Sequence, residues 1–99
     1  MGINVRLQGE KGDVREEILD PQDILSKLLP RQDGSLLSGV DPYGDTTFNQ
    51  LQMKQFLSEL ADVEKQTLNQ GQVQMLSSVR KLAEKCSKTV HLYLKFVGD

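Results

Sequence analysis

Val90-His91-Leu92-Tyr93-Leu94-Lys95-Phe96-Val97 is the stretch on which the fold turns. Val90, Leu92, Leu94 and Phe96 alternate with His91, Tyr93, Lys95 and Val97. A period of two, rich in aromatic and β-branched side chains, marks a strand with one face toward a core. The outward set itself includes Tyr93 and Val97, which places the strand inside a sheet rather than at its rim. The same period recurs near the other end, where Ile3, Val5 and Leu7 alternate with Asn4, Arg6 and Gln8 before Gly9. These two strands are expected side by side. Gly9 and Gly12 supply a turn, after which Val14 to Ile18 returns as a short second strand.

Between the terminal strands the period lengthens. Asp20-Pro21-Gln22-Asp23-Ile24 reads as a helix start: Asp20 can accept free backbone N–H groups, Pro21 suits the first helical position and Asp23 favours the positive end of the dipole. Ile24, Leu25, Leu28 and Leu29 make one apolar stripe until Pro30 stops it. Residues 31–35 read as a polar turn, and Leu36, Leu37 and Val40 as an irregular strand weakened by Ser38-Gly39. A turn over 41–47 then opens a helix near Phe48, with Asp45, Thr46 or Thr47 as its cap. In that helix Phe48, Leu51, Gln52, Gln55, Phe56, Leu60 and Val63 recur near the helical period. After a break at Leu68-Asn69-Gln70-Gly71, a last helix from Gln72 carries Val73, Leu76, Val79, Leu82, Ala83 and Cys86 on one stripe.

The expected fold class is α+β: a small, mostly antiparallel sheet with the N- and C-terminal strands adjacent, packed against about three helices. Ninety-nine residues, 37% of them hydrophobic, are enough for one core but not two, so a single domain over 1–99 is expected. No apolar run approaches the roughly 20 residues that cross a bilayer, and the start lacks a charged-then-apolar leader. One cysteine, Cys86, cannot form an internal disulfide. A cytoplasmic protein without membrane association is the reading that follows.

The formal charge is only −2, but it is unevenly placed. Residues 34–62 carry Lys54 against Asp41, Asp45, Glu59 and Asp62, whereas residues 63–99 carry Lys65, Arg80, Lys81, Lys85, Lys88 and Lys95 against Glu64, Glu84 and Asp99. The basic last helix has no aromatic residue for bases to stack on, so nucleic acid is not an expected partner.

Asp41-Pro42-Tyr43-Gly44-Asp45-Thr46-Thr47-Phe48-Asn49 is the most specific local signal. Pro42 fixes φ for a turn and Gly44 permits a positive φ, so each residue has a structural role available. The functional reading makes Asp41, Tyr43, Asp45 and Asn49 a polar rim that binds a partner's hydrogen-bond donors. No His/Cys cluster, EF-hand spacing or HExxH is present, and the glycines match no phosphate loop; neither a metal nor a cofactor is expected. His91 is the only histidine, so any imidazole chemistry depends on it, and with Tyr93 it marks a second candidate, a ligand pocket. Cys86 lies on an apolar stripe and reads as packing.

The segments Asp41-Pro42-Tyr43-Gly44-Asp45-Thr46-Thr47-Phe48-Asn49-Gln50-Leu51-Gln52 and His91-Leu92-Tyr93-Leu94-Lys95-Phe96-Val97-Gly98-Asp99, with the opening Met1-Gly2-Ile3-Asn4-Val5, resemble a set of small uncharacterised bacterial proteins. The resemblance spans nearly the whole chain. It implies a bacterial cytosolic origin and a one-domain architecture, and it transfers no catalytic residue, since those proteins have no assigned activity.

The expected function is a non-enzymatic protein–protein interaction domain, of the immunity or regulatory type, that presents the acidic turn and helix surface to a protein partner. The alternative is a small enzyme or ligand-binding domain with a pocket around Asp41, Tyr43, Asp45 and His91. A homodimer through an exposed sheet edge or helix face is the third reading.

Overall fold

The two alternating termini pair with each other, and the rest of the sheet grows from them. In the computed structural model, which describes residues 2–30, 34–66 and 68–98, β1 (Asn4–Gly9) runs antiparallel to β4 (Leu92–Val97). Val5 lies opposite Phe96 and Leu7 opposite Leu94, so the alternating apolar sets of both strands point to one side. β2 (Val14–Ile18) flanks β1, and a third strand, β3 (Asp45–Asn49), flanks β4. The order β2-β1-β4-β3 is antiparallel throughout. The chain is thus α+β, with its N- and C-terminal strands adjacent at the centre of the sheet and three helices packed on it.

The helices are α1 (Leu25–Leu28), α2 (Met53–Glu64) and α3 (Gln70–Cys86). Met53, Phe56, Leu60 and Val63 of α2 and Leu76, Val79, Leu82, Ala83 and Cys86 of α3 are buried, at spacings that set one stripe of each helix against its neighbours. Phe48 of β3, Phe56 of α2 and Phe96 of β4 meet with ring centroids 5.5–5.8 Å apart, within the range of favourable aromatic pairs. Val73, expected on the α3 stripe, is instead half exposed.

The middle of the chain departs from expectation most. Residues 45–49 form a strand, and the helical region starts only after Asn49. The Asn49 side chain accepts the Gln52 N–H at 3.1 Å while the Gln52 side chain accepts the Asn49 N–H at 2.9 Å. This reciprocal capping box needs an extended backbone at Asn49, so the residues before it are strand rather than helix. None of Asp45, Thr46 or Thr47 is the cap, and Leu51, counted on the core face, is 85% exposed. The same N-x-x-Q box, Asn69 with Gln72, starts α3 two residues earlier than expected.

Two further corrections have local causes. Leu36, Leu37 and Val40 belong to a 3₁₀ turn, Leu37–Gly39, rather than a strand. The Glu59 carboxylate of α2 accepts the N–H groups of Leu36 and Leu37 at 3.1 and 3.0 Å, holding that turn against the helix. Asp20 is buried and caps α1 from a distance, accepting the N–H of Ile24 and of Leu25 at 2.8 Å each. Pro21 is therefore in a loop rather than the first helical turn, and Asp23 takes a positive φ of 55°. The polar turn expected over 31–35 falls partly on residues 31–33, outside the described ones.

Candidate functional site

The 41–44 turn is held from several directions. The Asp41 carboxylate accepts the Tyr43 N–H at 2.8 Å, the geometry of an Asx turn. The Asp41 N–H donates to Thr46 Oγ1 at 3.0 Å, and the Gly44 N–H to the Asp41 carbonyl at 3.4 Å. Gly98, beyond the end of β4, donates its N–H to the Gly44 carbonyl at 2.7 Å. A Cβ on Gly98 would lie 2.5 Å from the Pro42 carbonyl carbon, so only glycine lets the turn seat on the end of β4. Gly44 is also needed for close approach, not for positive φ: its Cβ would lie 2.7 Å from an Asp41 carboxylate oxygen.

The turn's carboxylates are occupied within the chain. Asp41 braces the turn, and Asp45 lies 3.3 Å from Lys95 Nζ on the neighbouring strand. The acidic surface of α2 is similar: Glu59 holds the 3₁₀ turn, Asp62 lies 3.7 Å from Lys65, and Glu64 grips the Arg80 guanidinium of α3, holding its pKa above the usual value. Tyr43, beside the exposed Asp41 and Pro42, is the aromatic residue of the turn and is 81% exposed.

Beside this turn runs an open strand edge. The Gly98–Gly44 hydrogen bond fixes the parity of the β3–β4 ladder, in which bonded and non-bonded pairs alternate. Thr46 and Phe48 therefore pair inward with Phe96 and Leu94, while the peptide groups of Asp45, Thr47 and Asn49 face away from the sheet. The Asn49 N–H is taken by Gln52. Asp45 and Thr47 keep outward N–H groups, and the strand is flanked in sequence by the exposed Tyr43 of the turn and the exposed Leu51 of the 3₁₀ helix that follows.

The structure does not bring His91 to this turn. Asp45 pairs with Val97 at one end of β4, whereas His91 precedes the strand at the other end, about 20 Å of extended chain away. There its ring Nδ1 contacts the Glu10 carboxylate at the exposed β1–β2 hairpin. Tyr93 is half-buried on the sheet face opposite the helices, across from Gln8 and Asn49. Asn49 is thus near Tyr93 but is engaged as a helix cap. A hollow of about 170 Å³ beside Pro42 is lined by Ile3, Ser26, Leu29, Pro30, Ser38 and Val40 as well, with no ionisable side chain among them.

Cys86 is fully buried under β4, with its Sγ 3.5 Å from the Leu92 carbonyl. Burial pushes its thiol pKa up from 9.0 to about 11, the opposite of what a nucleophile needs. Among the described residues no three His, Cys, Asp or Glu side chains gather where they could hold a metal ion, and no helix is long and apolar enough to cross a membrane.

Sequence reasoning found the turn but missed the edge beside it. The signal that could have revealed the edge is the repeated N-x-x-Q spacing at 49–52 and 69–72, which marks where each helix begins and leaves 45–49 free to be strand. Compared with family models, curated proteins and solved structures, the chain finds no match.

Proposed function

We propose that this chain is a non-enzymatic protein-interaction domain, regulatory or immunity-type, whose contact surface is the 41–44 turn and the adjoining β3 edge. The observation that carries the reading is Tyr43, 81% exposed on a turn braced by its own carboxylate, by Thr46 and by Gly98. An aromatic side chain on a backbone that is already ordered forms a contact with little further loss of entropy, and such residues dominate binding energy at interfaces. Asp41, Asp45 and Asn49 contribute by shaping and bracing that surface. Their acceptors are shared with internal partners, so recognition rests on shape and on main-chain groups as well as on charge.

A photo-crosslinking residue placed at Tyr43 in the chain's own cells tests this, with Arg15 on the opposite edge of the sheet as control. Adducts formed from position 43 and not from position 15 support the reading. Adducts from neither position, or equally from both, overturn it.

A further inference from the structure

We draw no further inference here: the strongest candidate, the face of the sheet opposite the helices, where Arg6 and Lys95 stand opposite each other on the two central strands with Tyr93 two residues before Lys95, carries nothing, because each cation is already paired within the chain, Arg6 with Glu17 and Lys95 with Asp45, and nothing in the structure shows what covers that face.

Discussion

The two edges of the sheet are built from opposite chemistry. β2 presents Val14, Arg15, Glu16 and Glu17 as exposed residues, and its charges are tied down: Arg15 to Asp13, Glu17 to Arg6 on β1, and Glu16 to Lys85 on α3. The Arg15 hydrogen bond holds the Asp13 carboxyl below its usual pKa. The β1–β2 register also shifts between Leu7 and Gln8. Charged side chains and an irregular ladder are the devices by which natural sheets deter a further strand. β3 has a regular register, a Thr-Thr pair and one aspartate, with Lys95 alongside it. A strand docking on β2 would have to strip water from several carboxylates, whereas one docking on β3 meets peptide groups and hydroxyls. In a sheet of four strands the edges are half of the total, so leaving just one of them open is a way of giving the molecule a direction.

The comparison breaks most completely if β3 loses its anchor. Phe48→Ala removes one ring of the aromatic trio and should destabilise the fold by about 3–5 kcal/mol in urea denaturation, with amide exchange on β3 accelerated more than on β2. A perturbation common to both edges is alkaline titration of Cys86. Because its folded pKa is raised to about 11 from 9.0, the unfolded chain releases its proton first. The stability contribution is therefore whole below pH 9 and falls as pH rises toward 11, by about 2 kcal/mol. Denaturation of wild type and Cys86→Ala across that window should show the extra slope only in the wild type.

Gly98→Ala sharpens the contrast by pushing the 41–44 turn off the end of β4; a loss of about 2 kcal/mol in thermal or chemical denaturation is expected, with β2 exchange little changed. Asn49→Ala removes the cap that ends β3 and should reduce stability by about 1 kcal/mol. The smallest effect belongs to the guarded edge. Replacing Arg15 and Glu17 with threonine should change stability by only about 0.5 kcal/mol, since exposed ion pairs contribute little, yet it should make the chain self-associate through β2, seen in light scattering as a mass above that of the unsubstituted chain at the same concentration.

Much of the frame was legible from local pattern. The alternation of Ile3, Val5 and Leu7 and of Leu92, Leu94 and Phe96 predicted two strands, and Tyr93 and Val97 on the second face predicted that β4 is internal, as the β2-β1-β4-β3 order shows. The 41–49 segment was misread in its second half because Phe48, Leu51 and Phe56 fit a helical period by sequence alone, while Leu51 lies in solvent and Phe48 reaches the core from a strand. Within the candidate site, the turn around Pro42 and Gly44 could be seen in the residues; the seating of that turn on Gly98, more than fifty residues later, could not.

By itself the sequence determined where the chain extends, where it coils and which side of each element is apolar, because these depend on side chains a few positions apart and on whether backbone N–H groups find a local cap. Only the tertiary structure decided that Asp20 caps α1 across a loop, that Asp41, Asp45 and Glu59 of the middle each meet a partner in the chain itself, that His91 stands at the far end of β4 from Asp45, and that β3 rather than β2 is the unguarded edge. Those outcomes depend on which distant groups are brought together. Burial and pairing across the sheet select among partners that local spacing leaves equivalent.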